Sequence, residues 1–350
     1  MRARLGRSAL HGGGRDRSAE RCDQQAGRRA AFVLVLLAPL VAELAFGITP
    51  VSMAWLVLFW LPIYGAGILL IRELVVRNGR GWLSIVVLGV AYEIVEDGIG
   101  LQALTSPQLY GAAGWGARVL GFNLPYWEAN VIYHVVFSAV IPILLVQLAF
   151  PGHRGRPYLT VPGLAVTAII AALGVGVLRV TVPPAADPGY SAPLTVTIGC
   201  AAVALLLGVI ALRWIPPSSS APPAEGAVPH PAVLVGLGAV ATIAGLALLF
   251  PFAGAAQPSF TSGWWVLLPM TGAAVLAAGS FAVIRVWSRR RCWSDQHALG
   301  LAAGAMVAHS LAGLTFVANW IDRVGLLVIV AITIGGCLAL SRRLRPMIRC

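Results

Sequence analysis

Apolar residues run through this chain in ten blocks, separated by short stretches that carry most of the arginines and prolines. Each block is about 18 to 24 residues long, enough to cross a hydrocarbon layer of ~30 Å at 1.5 Å of rise per helical residue. The blocks are Ala30 to Ile48, Ser52 to Ile71, Trp82 to Leu104, Ala129 to Phe150, Val161 to Val180, Leu194 to Trp214, Ala232 to Phe250, Trp264 to Val286, Ala298 to Ala318 and Val324 to Ser341. A backbone in lipid must satisfy its own hydrogen bonds, so blocks of this length predict helices. The expected fold is all-α, a polytopic transmembrane helical bundle of about ten spans. Trp82, Tyr126, Trp127, Trp214, Trp264, Trp265 and Trp320 stand at block ends, where amphipathic rings suit the interface.

The intervening segments set the organisation. Residues 1–29 hold eight arginines and read as a disordered basic tail. Residues 30–215 form a six-helix membrane part, and residues 216–231, rich in Pro, Ser and Ala, form a linker. Residues 232–341 form a four-helix part, followed by a basic tail over 342–350. The stretch Ser106 to Glu128 is long for a loop between spans and is able to fold back as a lid. Close helix approach is expected at Gly174, Gly176, Gly300 and Gly304.

Composition sharpens this reading. Hydrophobic residues make up 58% and charged residues only 11%, against roughly 25% charged in soluble domains, which excludes a water-soluble fold. The net charge of +12 is spread over many short loops rather than one face. The partner it implies is the lipid bilayer and its headgroups, and nucleic acid is excluded. All 25 basic residues are arginine, and alternate loops divide them 22 to 3. By the positive-inside rule both termini face the cytoplasm, in a multi-pass protein of the plasma membrane. Cys22, Cys200, Cys292, Cys337 and Cys350 show no metal or redox spacing, and structural disulfides are not expected in a reducing compartment.

Ionisable groups inside a bilayer are costly and mark bundle interiors or wet cavities. The candidates are Glu43 in the first block, Glu93, Glu96 and Asp97 in the third, His134 in the fourth and His309 in the ninth. On the positive-inside topology all six fall in the outer half of the membrane. Glu93, Glu96 and Asp97 are spaced i, i+3, i+4, so three carboxylates share one helical face and cannot all ionise cheaply. Asn130, His134 and Ser138 form a polar stripe at four-residue spacing, with Glu128 at its edge. An imidazole beside carboxylates is material for a proton relay or, if a divalent metal were held, for ligation by Glu96, Asp97, His134 and His309. No cofactor is required by the pattern. Glu73 reads as an interfacial ion pair with Arg72 or Arg77.

The runs Ile71-Arg72-Glu73-Leu74, Gly79-Arg80-Gly81-Trp82 and Ala91-Tyr92-Glu93-Ile94-Val95-Glu96-Asp97-Gly98, preceded by Ala38-Pro39 and Glu43, resemble a group of uncharacterised bacterial multispan membrane proteins over about the first 110 residues. That resemblance implies a shared fold. The order Glu96-Asp97, His134, His309 is also similar to that of the CAAX-protease and bacteriocin-processing intramembrane metalloproteases, which implies a metal-dependent hydrolase. Leu101, Asn130 and Gly313 depart from that family's motifs. The leading functional expectation is a proton-coupled permease acting on protons or a small molecule. A metal-dependent hydrolase and a structural or partner-binding membrane protein are the alternatives.

Overall fold

The computed structural model describes residues 12–114, 116–217, 223–249 and 263–344. The start of the basic tail, Trp115, the middle of the linker, residues 250–262 with the predicted block end Phe250, and the last six residues lie outside them. Among the described residues ten helical segments follow one another. They are α1 (Gly12–Pro39, continued by Leu40–Leu44), α2 (Val51–Arg77), α3 (Trp82–Glu93, continued by Ile94–Gly100), α4 (Leu124–Ala149), α5 (Val161–Ala186), α6 (Leu194–Trp214), α7 (Pro231–Leu249), α8 (Gly263–Trp287), α9 (Asp295–Gly313) and α10 (Trp320–Arg343). A short antiparallel pair, β1 (Arg118–Val119) with β2 (Phe122–Asn123), interrupts the loop after α3. Its two central turn residues, Leu120 (φ 52°) and Gly121 (φ 85°), are both left-handed, the backbone that joins two strands with a two-residue turn.

Seven of the helices are long and apolar enough to cross a membrane. The other three, α1, α3 and α9, are those that carry Glu43, the Glu93–Glu96–Asp97 triplet and His309. Burial sorts the helices into two shells. In their most apolar stretches 50% of α2 and 67% of α4 is buried, against 11–22% of α5, α6, α7, α8 and α10. The peripheral helices present valines, leucines and isoleucines outward, as lipid-facing surfaces do, while α1 to α4 enclose the main apolar core around Leu34, Ile68, Leu104 and Ile143. Helices α7 and α9 meet backbone to backbone. A Cβ at Gly304 would lie 1.9 Å from the Val235 carbonyl, and one at Gly238 2.3 Å from that of Leu301.

Regular α-helical bonding breaks in all four inner helices and near the end of α6. Turns of π type occupy Leu40–Leu44, Leu61–Ala66, Ile94–Gly100, His134–Val140 and Ile210–Trp214. In them Ala45 N–H bonds Leu40 O at 2.9 Å and Leu101 N–H bonds Glu96 O at 2.7 Å, five residues back instead of four. Pro39, Pro62 and Pro142 each remove a donor within or beside such a turn, which shifts the neighbouring bonds.

Several sequence expectations change here. Residues 12–29 continue α1 as helix rather than forming a disordered tail; a span already nucleated propagates cheaply through good helix formers such as Ala, Arg and Gln. The third span ends at Gly100 and not at Leu104, because its chain turns away through the left-handed Gln102 (φ 58°). The fifth runs on to Ala186, past Val180. Part of the linker is pinned, with Ala224 bonding Arg289 and Arg291 backbone groups at 2.9 and 3.0 Å. Cys292 is disulfide-bonded, against the expectation of none that a reducing compartment gives; Cys200 and Cys337 are free. Gly174 does pack closely, its Cβ position 2.8 Å from Pro62, whereas nothing lies within 4 Å of that at Gly176.

Candidate functional site

The π-type turns gather polar side chains from α1, α2, α3 and α4. Glu43, buried at the end of α1, accepts hydrogen bonds from the Tyr64 phenol at 2.7 Å and the Thr49 hydroxyl at 2.9 Å. The Trp60 indole N–H in turn donates to Thr49 at 2.9 Å. Glu96 lies beside the phenols of Tyr92 and Tyr64, with its Oε2 3.7 Å from Nδ1 of His134. That nitrogen also shares a 3.0 Å hydrogen bond with the Ser138 hydroxyl. Three tyrosine rings surround the imidazole, with Tyr64 and Tyr92 centroids at 5.9 Å and Tyr133 at 5.8 Å.

His309 joins from α9 through Tyr133, whose hydroxyl is 3.0 Å from Nε2 of His309 and donates to the Ala42 carbonyl. The ring is held between Phe137 at 4.0 Å and Phe46 at 4.6 Å, both nearly parallel to it. Its Nδ1 has no hydrogen-bond partner among the described residues. The candidates thus converge, but in two tiers. Glu43, Glu96 and His134 share one hydrogen-bonded or contacting group, and His309 stands one tyrosine away.

Burial around the triplet is close to complete: Glu93 is 0% exposed, and Glu96 and Asp97 are each 1%. Oδ2 of Asp97 lacks a hydrogen-bond partner among the described residues, while the Tyr92 phenol lies against Glu96 and the Trp127 side chain against Glu93 without a close hydrogen bond. No arginine there forms an ion pair with Glu43, Glu93, Glu96 or Asp97. The two flanking candidates lie apart from this group. Asn130 bonds the Tyr126 carbonyl of its own helix at 2.9 Å, and Glu128, also buried, has one unpartnered oxygen.

Sequence reading missed Tyr64, Tyr92, Tyr133, Thr49 and Trp60. Their signal was present, since a phenol inside an apolar block needs a partner as much as a carboxylate does, and Tyr92 and Tyr133 directly precede Glu93 and His134.

The loop after α3 covers the end of this network. Ser106 and Leu109 are buried, and the loop is tied to the α5–α6 connection. Ser106 Oγ bonds Asp187 at 2.6 Å, Gln108 N–H reaches the same carboxylate at 3.3 Å, and Tyr190 bonds Thr105 at 2.8 Å. The Tyr110 phenol lies within electrostatic reach of Asp97, Glu43 and Glu96.

A second buried charge group sits at the other end of α2. Arg72 and Glu73, both 0% exposed, pair at 2.6 Å, and Arg77 lies 3.4 Å from Glu73. Glu73 also accepts from the backbone N–H groups of Tyr158 and Leu159 at 2.8 and 3.2 Å. The Arg72 guanidinium covers the Tyr158 ring at 3.3 Å. The predicted ion pair is therefore made with both arginines, but in the interior and as a clamp on the α4–α5 loop.

An all-helical bundle with lipid-like outer faces and a polar interior network is a polytopic membrane protein. The chain belongs to an uncharacterized membrane protein family, whose model matches residues 32–345. No curated protein and no solved structure matches it. The family match lends no support to the resemblance to CAAX-processing metalloproteases. Among the described residues no three His, Cys, Asp or Glu side chains are placed to hold a metal ion; His309, which that ligand set needed, is engaged by Tyr133 instead.

Proposed function

We propose that this protein is a proton-coupled permease of the plasma membrane, in which Glu93, Glu96 and Asp97 take up and release protons and His134 and His309 relay them. The observation that carries this reading is a set of four buried carboxyl groups without an arginine partner among the described residues, two of which, Glu43 and Glu96, meet through phenols, with Glu96 beside an imidazole. Adjacent carboxylates in low dielectric repel strongly, so such a group holds protons in common and exchanges them as its surroundings change. The contacts Trp60 to Thr49 to Glu43 to Tyr64, and Glu96 to His134 to Ser138, supply a row of exchangeable protons. The π-type turns at these residues are the backbone irregularity that often accompanies functional sites in helices.

In this reading the arginine-rich loops and both termini are cytoplasmic, and the loop covering the cluster faces outside. Reporter fusions after Arg80, Arg156 and Arg291 then report cytoplasm and one after Asp187 reports outside; a reversal at any of them overturns the orientation. The proton reading is tested by infrared difference spectroscopy of the purified protein across the range in which carboxylates and histidines titrate. A protonated-carboxyl band that titrates in the wild type and is lost in Glu96→Gln supports it. A carboxyl band that does not change with pH defeats it.

A further inference from the structure

We propose that His230 and His297 form an acid-released latch between α7 and α9, at the helix ends that the orientation above puts in the cytoplasm. The latch is separate from the carboxyl cluster and does not depend on proton exchange there.

Both helices begin on an imidazole. Nδ1 of His297, in the first turn of α9, accepts the Ser294 backbone N–H at 3.0 Å and meets the Ser294 hydroxyl at 2.8 Å, while the Ser294 side chain accepts the His297 backbone N–H. This is a capping box with histidine where Glu or Gln usually stands. Nδ1 of His230, the residue before α7, accepts the Ala232 N–H at 3.2 Å, and the His230 carbonyl accepts from Val233 at 2.8 Å. A ring nitrogen that accepts an N–H carries no proton, so each cap needs a neutral imidazole with its hydrogen on Nε2. The caps are neighbours: His230 acts electrostatically on His297, and beside them the two helices touch, since a Cβ at Gly300 would lie 2.7 Å from the Pro231 carbonyl. This seam continues through Gly304 and Val235, and His309 lies further along α9.

Acid undoes this arrangement. A proton on Nδ1 removes the acceptor of each cap, and the charge it brings sits at the positive end of a helix dipole, beside a second such charge. Burial first, and the His230 imidazole second, hold the His297 ring below the ordinary histidine range, against a smaller Ser294 backbone contact that favours the charged form. Once the turn frays the ring returns to about 6.5 and takes up a proton more readily than the capped ring does. The capped state therefore keeps its full advantage above that value and loses it as pH falls below, the linkage of a base whose folded pKa is depressed. The α4–α5 loop brings Arg154, paired with Asp295 at 2.9 Å, and His153 next to it, while Arg342 of α10 follows Ser341, which Gln296 bonds at 2.7 Å. The linker leading to His230 carries Glu225 and is held by Arg290, which bonds the Ala227 carbonyl. Carboxylates and guanidinium groups in water keep their charges across the histidine range, so imidazoles are the groups that change state.

The test is amide hydrogen exchange of the full-length protein in detergent at about pH 7.5 and about pH 5.5, on either side of the ordinary histidine value, with the intrinsic pH dependence divided out. Corrected exchange over residues 232–234 and 294–300 should be about fivefold faster at the lower pH, the size of step that losing a helix cap gives, with α2 and α4 unchanged. His230→Asn and His297→Gln install side chains that cap without titrating, so the double variant should fold and lose the step. A wild type without the step overturns the latch, and so does a step that survives in the double variant, whose origin then lies in other groups. A rise of equal size throughout α2 and α4 is acid unfolding and overturns it as well. Should the double variant fail to fold, nitrogen NMR of the histidine-labelled wild type, assigned with the single variants, decides. Hydrogen on Nε2 of both rings at neutral pH, lost to a doubly protonated ring in acid, supports the caps; hydrogen on Nδ1 of either neutral ring overturns them.

Discussion

Helix α2 touches two buried charge groups that have opposite constructions. At Arg72 and Glu73 opposite charges meet, although Nε of both arginines makes no hydrogen bond: two guanidinium groups and two backbone N–H groups converge on one carboxylate, and an aromatic ring covers Arg72. Eight residues earlier, about 12 Å along the axis, Tyr64 reaches Glu43 and Glu96 in a group where carboxylates accumulate without a guanidinium. Each group is deep inside the protein, so burial alone does not distinguish them. The difference lies in what is left unpaired. The first group fixes a loop by pairing opposite charges, whereas the second gathers like-charged acids with no resident cation among the described residues. Charge balance, more than burial, separates the clamp from the site.

The comparison breaks most sharply at Glu73. Replacing it with Ala strands Arg72 in the interior and releases the Tyr158 and Leu159 N–H groups together, and breaking a buried pair in this way costs about 3 to 5 kcal/mol. Thermal unfolding in detergent should show a loss of that size, with protease cleavage appearing between Phe150 and Thr160. A variant that unfolds like the wild type would show that the clamp is ornamental. Arg72→Ala should behave similarly, because it exposes the same carboxylate to an unpaired interior.

A smaller effect is expected where helices meet without polar groups. Gly304→Ala places a methyl 1.9 Å from the Val235 carbonyl, so α7 and α9 must separate, at a cost of about 1 to 3 kcal/mol for overpacking. Gly176→Ala has nothing within 4 Å and should leave the unfolding temperature unchanged or slightly raised. Equal effects from the two would mean that the close contact does not limit stability. Asp187→Ala falls in the same range or below it, about 1 to 2 kcal/mol for the lost bonds to Ser106 and Gln108. Its diagnostic readout is faster hydrogen exchange confined to residues 101–114 and 116–123.

How much of this was legible in the sequence follows from the same contrast. Block lengths located the ten helical segments, because lipid leaves the backbone few alternatives, and Glu93, Glu96 and Asp97 stood out because a charge in an apolar run has no bland context. The partners were harder to see. Tyr64 and Trp60 lie in a block whose aromatics read as lipid-facing or packing residues, and nothing in their spacing connects them to Glu43 across the loop. Boundaries moved where prolines and glycines shifted hydrogen bonding into π-type turns, since periodicity assumes 3.6 residues per turn throughout. His309 stood out in the sequence as a polar residue in an apolar block, yet its distance from the carboxylates depends on how α9 packs against α4, which a one-dimensional pattern does not encode.

The smallest change in stability, and the sharpest contrast with Glu73, is expected at Glu93. Both of its oxygens are buried and make no close hydrogen bond, with only the Trp127 side chain set against them, so a substitution that keeps the amide-sized shape breaks little. Glu93→Gln keeps the volume and removes the charge whose desolvation the fold would otherwise bear. An amide does introduce two N–H donors that must find acceptors, but Glu96 and Asp97 both lie within electrostatic reach and present unpartnered oxygens to receive them. The two contributions oppose each other and should leave thermal unfolding within about 0.5 kcal/mol of wild type, where ordinary tolerated substitutions fall. The infrared carboxyl titration, by contrast, should lose intensity, since one proton-holding group of three is gone. If Glu93→Gln instead destabilises the bundle as much as Glu73→Ala does, the triplet is a structural seam whose partners resemble those of Arg72 and Glu73, and the distinction between an answered and an unanswered charge group fails for this protein.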